Sequence, residues 1–457
     1  MSQAGEGRFD AFDRLVEERM AAWTAELQEF CRVPSEASDP GALRQAAQWL
    51  VARLDQAGAS VDFVEVDDLP PLVVGEIGDG QRTLNAVQHY DVQPAHPHEL
   101  WTTPAYEPKV RDGRLFARGA SDNKGQLLVR IQALEAYRDA IGPLPCRVRF
   151  LIEGEEESGS VNLGRLLDAR PGLREADAAL QEGGAVNDHG EPVLICGVRG
   201  IVYVELSVRT LSFDAHSGGA QLYPNAAWRL LEALSTLWSN SGRVLVDGFH
   251  DVVKPPTDEQ LAHLRDRVRF EEDELKRIYG TPRFVGGRTG LDAQAAQIFE
   301  PTCNLAGIWS GWTGEGSKTI TPAEAHAKLD FRLVPDQDPA VVRRLLREHL
   351  DRRGFEDIEI ADFGHEHPFW TSINAPIVGA AARAAEEAFG QPAIRQFSSP
   401  GTAPMYEVCA PHAVPMVAVG CGDHRSRAHA PDESIALDRY AQAARAIGRL
   451  VAYWAAD

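Results

Sequence analysis

The sequence predicts an α/β protein of two domains, and three observations carry that prediction. Short apolar runs bounded by Gly, Pro and Asp alternate with segments of helical period. Near residues 197–200 this alternation gives way to a half-exposed strand of strict period two. The 457 residues also exceed what one ordinary core accommodates. Along the first domain, apolar positions recur at helical spacing over 9–30 and 42–57, with Gly58 placed to close the second helix. Residues 61–66, 72–77, 83–89 and 146–152 read as strands, and 125–141 as the helix between the last two. Strands separated by helices imply a mixed, largely parallel sheet flanked by helices, whose ligands lie beyond the carboxyl ends of the strands.

The second domain is expected over 199–367 as an inserted β-α-β-β-α-β layer. Residues 201–209 alternate as a strand, 225–238 form a helix, and 325–333, 339–353 and 358–363 read as strand, helix and strand. The internal stretch 251–299 is charged and helical, a surface elaboration. The first domain is therefore expected in two parts, 1–198 and 368–457. Its second part holds a helix at 376–389, a Gly/Pro-rich loop, a strand at 415–420 and a final helix at 438–453.

Composition excludes several functions. A formal charge of −21 without clustered Lys and Arg argues against nucleic acid as a partner. The first seven residues lack the basic and then apolar pattern of a secretory signal, and no stretch approaches a membrane span, so a cytoplasmic protein is expected. The six cysteines are scattered without CxxC spacing, which fits free thiols better than a disulfide framework or zinc ribbon.

The chemistry concentrates at predicted strand ends. Glu155-Glu156-Glu157 follows the apolar run 147–152, and carboxylates crowded there need a strong compensating cation, for which a divalent metal is the natural choice. His89 and Asp91, two apart at another strand end, suit a ligating imidazole and the carboxylate that orients it. Asp122 lies in a Gly-bounded loop before a helix; its two oxygens can bridge two cations, a recurrent hydrolase design, although helix capping would also explain it. Glu182, after a further apolar strand, and His429 would complete the two ligand sets, His424 being the rival of His429. Glu156 and Glu157 are expected to diverge as neighbours at a strand end, one binding metal and the other holding a proton.

These runs, 89–94, 119–125 and 153–160, together with Phe331-Arg332-Leu333-Val334-Pro335, resemble the motifs of the dinuclear-zinc metallopeptidase family that includes carnosinases, bacterial dipeptidases, aminoacylases and the acetylornithine and succinyl-diaminopimelate deacylases. The resemblance runs in order from about residue 20 to the C-terminus. It implies a zinc-exopeptidase-like catalytic domain with an inserted lid and dimerisation domain. It assigns His89 and Glu182 to one zinc ion, Glu157 and His429 to a second, Asp122 to the bridge and Glu156 to the general base. Two Zn per subunit are implied, with Mn or Co as substitutes, and a cis peptide between Asp122 and Asn123. His216, in a Gly-rich loop, is implied to stabilise the oxyanion in the active site of a partner subunit, which makes a homodimer through the lid the expected assembly. Arg332, with Asn304 and the backbone around Gly401 and Thr402, is implied to clamp the substrate's free carboxylate; an internal salt bridge is the plainer alternative.

The implied function is hydrolysis of an amide bond beside a free carboxylate, in a dipeptide or similar small peptide. Dipeptidases of this family usually carry Asp where Glu182 stands, and the loop 397–404 lacks their upstream acidic residue and paired glycines. An N-acyl-amino-acid deacylase is therefore the alternative, followed by a non-catalytic, metal-stabilised binding protein. Retention of Glu156 argues against the last, because a binder needs no base. His365 and His367 suggest a metal pair but read better as a polar hinge.

Overall fold

The computed structural model describes residues 7–456 and divides into two compact units. The first comprises the chain up to Gly197, then Trp370–Ser399 and Pro404 onwards; the second comprises Val198–Phe369 with Pro400–Ala403. Those last four residues group with the second unit, although the sequence assigns 368–457 to the first. Their neighbour there is Arg199, whose backbone N–H donates to the Gly401 carbonyl at 3.0 Å.

A nine-stranded mixed sheet forms the first unit. Its order is Ser60–Val64, Leu72–Ile77, Arg147–Glu153, Thr83–His89, Ala178–Gln181, Met416–Ala418, Pro192–Ile195 and Ile394–Gln396, with Ala185–Val186 added beside Pro192–Ile195. Parallel pairing joins the four central strands, from Arg147–Glu153 to Met416–Ala418, and the last pair; the other pairings are antiparallel. The four central strands are buried on both faces and mostly apolar, with Asn85, Gln88 and Arg149 as buried polar interruptions. Because the four central strands run the same way, their carboxyl ends open on one edge of the sheet. Helices Asp10–Cys31, Pro40–Gln56, Lys124–Ala140, Pro376–Phe389 and Leu437–Ala456 contribute to one continuous apolar cluster with these strands. The Asp39 side chain caps the second helix by accepting from the Gly41 and Ala42 amides, a contact typically worth about 1 kcal/mol. A three-stranded ribbon, Ser434–Ala436, Arg114–Phe116 and Lys109–Arg111, completes this unit.

The second unit is the expected β-α-β-β-α-β layer. Its four strands are antiparallel in the order Thr302–Ser310, Glu324–Leu333, Gly200–Arg209 and Glu359–Glu366. Helices Ala226–Ser235 and Pro339–Arg352 cover the face formed by Val202, Val204, Leu206, Ala327, Leu329 and Phe331. Alternating burial along Gly200–Arg209 and Glu324–Leu333 is the period-two pattern read from the sequence. The elaboration at 251–299 contains helices Asp258–Arg267, Glu272–Tyr279 and Gly290–Phe299. Among the described residues, no helix is long and apolar enough to cross a membrane.

Candidate metal centre

Four central strands each deliver a functional side chain to the same edge. Thr83–His89 ends on His89; Arg147–Glu153 continues into the 3₁₀ turn Glu156–Ser158; Ala178–Gln181 is followed by Glu182; and Met416–Ala418 leads to the loop that carries His429. Asp122 arrives from the loop ahead of helix Lys124–Ala140. Glu156 and Glu157 do face different partners, His89 and His429, but the expected reason needs correcting, since the strand stops at Glu153 and the pair opens a turn. That turn is held by Asp91, whose carboxylate accepts from the amides of Glu156 at 3.2 Å and Glu157 at 2.9 Å. Gly154 allows the chain to pass Tyr90, for a Cβ there would lie 2.4 Å from the ring.

Asp122 stands between the two histidines. Its Oδ1 lies 3.2 Å from His89 Nε2, and its Oδ2 lies 3.1 Å from His429 Nε2. His89 Nε2 is also 3.0 Å from Glu182 Oε2 and 3.9 Å from Glu156 Oε2. His429 Nε2 is 3.2 Å from Glu157 Oε2. On its other side, His89 Nδ1 faces Asp91, 3.0 Å from its carbonyl and 3.3 Å from its carboxylate, which leaves Nε2 turned towards the acids. The Asp122–Asn123 peptide is cis, as the resemblance implied. Arg427, His429 and Asp432 all adopt positive φ without being glycine, a concentration of unfavourable backbone typical of functional loops.

Protons are the only cations that these side chains can supply themselves. Burial opposes charging His89, yet Glu182, Asp122 and Asp91 outweigh it and hold the imidazole well above its ordinary range. Hydrogen bonds to Asp122 and Glu157 push His429 up to about 10. Burial also disfavours the Asp122 anion, but the two histidines pull its carboxyl well below the usual carboxylate range. Burial, then Glu182, drives Glu156 well above that range against the pull of His89, and burial raises Glu182 too.

The donor set fits a pair of divalent cations. Two imidazoles and carboxylates are hard-to-borderline ligands suited to zinc, manganese or cobalt. Glu157 Oε1 is buried without a hydrogen-bond donor, and so is Glu182 Oε2, whose contact with His89 lacks hydrogen-bond geometry. Buried carboxylate oxygens left this way are costly unless a cation meets them. His89, Asp122 and Glu157 offer ligand atoms all within 4.8 Å of one another, as do His89, Glu156 and Glu182.

A profile of Peptidase family M20/M25/M40 matches residues 87–453. The chain belongs to this family. Beta-Ala-His dipeptidase of Rattus norvegicus is 28% identical over 452 residues, covering 92% of this chain and 90% of the relative. Cysteinylglycine-S-conjugate dipeptidase of Corynebacterium striatum is 27% identical, covering 86% of each. Among solved structures, the M20 family metallo-carboxypeptidase Sso-CP2 from Sulfolobus solfataricus is 35% identical with a TM-score of 0.89, covering 95% of this chain and 99% of its own. The metallopeptidase family, the mixed α/β fold and the enzyme class expected from the sequence are thereby shown, and a dinuclear metal centre goes with the family.

The other expected site residues lie in the second unit. Arg332 Nη1 donates to Thr402 Oγ1 at 2.6 Å, while its Nε is 3.9 Å from Asp330. Asn304, paired opposite Asp330 in the sheet, donates to that carboxylate at 2.7 Å. Arg332, Asn304, Thr402 and Gly401 are therefore brought into one neighbourhood, to which Asp330 and Arg199 must be added. His216 is exposed in a short ribbon and accepts from the Gly218 amide at 3.0 Å. The rival His424 pairs with Asp188 instead of Asp122. His365 lies near Asp362.

Three further residues went unnoticed in the sequence. Gln93 donates to Glu157 Oε2 at 2.9 Å. Glu433 and Arg118 form a buried pair beside Asp122. Their only sequence signal is position, each lying within a run that also holds a candidate ligand.

Proposed function

We propose that the chain is a two-metal exopeptidase that hydrolyses the amide bond beside a free carboxylate, with dipeptides as its substrates. The observation that carries this reading is the division of Asp122, one oxygen facing His89 and Glu182, the other facing His429 and Glu157. In this reading His89, Glu182 and Asp122 would hold one ion, and His429, Glu157 and Asp122 would hold the second; zinc is the proposed metal, with manganese or cobalt as substitutes. Bound there, two such ions would supply Lewis-acid activation of water and of the scissile carbonyl. Glu156 is the general base: its carboxylate takes the proton released as water adds to the carbonyl carbon and delivers it to the departing nitrogen. Its half-buried position and raised proton affinity suit that task. Asp91 keeps His89 in the tautomer that presents Nε2 and fixes the Glu156–Glu157 turn.

Arg332, with Asn304, Gly401 and Thr402, is proposed to bind the substrate's free carboxylate, the guanidinium being suited to bidentate contact. His216 is proposed to stabilise the oxyanion across a homodimer. Support for that assembly comes from strand Thr302–Ser310, which pairs on one side only and exposes Leu305 and Ile308, and from exposed Trp228 and Leu231 on helix Ala226–Ser235. All six cysteines are unpaired, which supports a reducing, cytoplasmic compartment.

A carboxypeptidase is the second reading, favoured by the 35% identity to the Sulfolobus solfataricus enzyme and by a 397–404 loop with no acidic side chain to receive a substrate ammonium. The deacylase alternative is not favoured, since the relatives reported above are two dipeptidases and a carboxypeptidase. Assay of the zinc- and manganese-loaded protein on free dipeptides, N-blocked dipeptides, tripeptides and simple N-acyl amino acids separates these readings. Dipeptide hydrolysis abolished by N-blocking supports the dipeptidase; hydrolysis of blocked and longer peptides supports the carboxypeptidase. Absence of turnover on every class by protein carrying two metals removes the exopeptidase reading.

A further inference from the structure

We propose that Glu433, locked to Arg118, is a positioning residue that holds Asp122 between its two histidines; the inference rests on the metal-centre reading above. Glu433 is fully buried and immediately precedes strand Ser434–Ala436. Its Oε2 accepts from Arg118 Nη1 at 2.8 Å and from the Gly119 amide at 2.9 Å. Its Oε1 accepts from the amides of Ser121 at 2.8 Å and Asp122 at 2.9 Å. Every one of these donors lies in the stretch 118–122 that presents Asp122.

The same carboxylate follows His429 by four positions. Ser434 pairs with Phe116 across the antiparallel ladder, and the Ala117 amide donates to the Glu433 carbonyl at 3.0 Å. The loops bearing Asp122 and His429 thus leave one ladder, and Glu433 ties them together beyond its end. Arg118 is fixed in turn: it is 1% exposed, its Nη2 donates to the Pro94 carbonyl at 3.2 Å, and its guanidinium lies 5.2 Å from the Trp101 ring centroid.

Stability alone is a weak reason for such a pair, because apolar side chains of similar volume often serve as well in a core. What apolar groups cannot do is direct hydrogen bonds onto three peptide N–H groups and so fix the peptide planes leading to the bridging carboxylate. Interactions that orient a metal ligand in this way typically govern affinity by about 10- to 100-fold.

The test uses the full chain and Co²⁺ as the probe, read by titration and by visible ligand-field absorption. Glu433→Gln turns a donor amide towards the backbone N–H groups. It is expected to bind both ions at least about tenfold more weakly and with an altered spectrum, while the metal-free protein keeps the wild-type far-UV circular dichroism. Glu433→Asp, which keeps the charge but shortens its reach, is expected to fall between. Arg53→Met breaks the half-buried pairs of Arg53 with Glu135 and Glu26 in the same unit and should lower Tm without moving Co²⁺ affinity. If Glu433→Gln does not fold, Arg118→Lys carries the same comparison. Unaltered Co²⁺ affinity and spectrum in the Glu433 variant overturn the inference, as does equal weakening by Arg53→Met. Wild-type protein that takes up no Co²⁺ would remove the metal-centre reading and this inference with it; wild-type uptake with an unaffected variant removes only the inference.

Discussion

The acidic edge of the first unit and the Arg332 neighbourhood of the second are built on opposite electrostatic plans. In the first, four acids and two imidazoles converge with no Lys or Arg among them, leaving buried oxygens of Glu157 and Glu182 without donors. In the second, Arg199 and Arg332 lie near each other; Arg332 has Asp330 at 3.9 Å, an acid that also accepts from Asn304, while Arg199 donates to the Gln297 and Glu300 carbonyls and meets no carboxylate in a described ion pair. Burial, with Arg332 nearby, pushes the Arg199 guanidinium down to about 10. One region is short of cations and the other of an anion. Each imbalance costs folding energy, so each points to a ligand of the missing sign.

The sharpest way to break the acidic side of that comparison is Asp122→Ala. Removing both oxygens that face the histidines should weaken metal binding at both positions by more than about 100-fold, at the upper end for loss of a ligand's support, and reduce turnover to background. Metal content after dialysis checks it; two ions retained per chain would contradict the bridging role. Glu156→Gln should act differently, leaving metal content near the wild-type value while lowering kcat by at least about 10²-fold. Normal turnover in that variant removes the base assignment.

On the basic side, Arg332→Met should raise KM for substrates with a free carboxylate, costing about 1.5–3 kcal/mol, or roughly 10- to 100-fold in kcat/KM. Their C-terminal amides should be affected far less, and an equal loss on both would argue for a purely structural arginine. The smallest expected effect concerns pH. His89 and His429 hold protons in the metal-free chain above the ordinary imidazole range, and metal must displace them. Apparent metal affinity should therefore rise with pH, by about tenfold per unit for each proton displaced, a slope that metal titrations at pH 6 and 8 measure. In the metal-free chain the sign reverses for stability. The raised His429 stabilises the fold fully below its ordinary value of 6.5 and loses that contribution as pH climbs towards about 10. Thermal melts with and without metal across that range check both signs.

Most of the chemistry was legible in the sequence because its carriers sit at strand ends, where an apolar run stops and a polar side chain begins. His89 and Glu182 follow that local grammar, ending or directly following a strand; Glu156 and Glu157 lie in the turn just beyond one, and Asp122 was marked by its Gly-bounded loop before a helix. Less legible was the choice of His429 over His424. Asp122 and His429 are 307 positions apart, and they meet because Met416–Ala418 adds in parallel beside Ala178–Gln181 and so releases its loop on the shared edge. The turn at Glu156 was also missed. It depends on Asp91 accepting two amides from a neighbouring strand's continuation, which no local pattern encodes.

The sequence by itself determined which residue types stand ready for metal chemistry, where the sheet alternates with helices, and which family the motifs resemble, since these follow from short-range periodicity and side-chain identity. Only the tertiary structure decided which oxygen of Asp122 faces which histidine, that Asn304 is engaged by Asp330, and that Glu433 closes the loop around Asp122. Those choices depend on strand order and register, which bring together atoms from residues 26 to 311 positions apart.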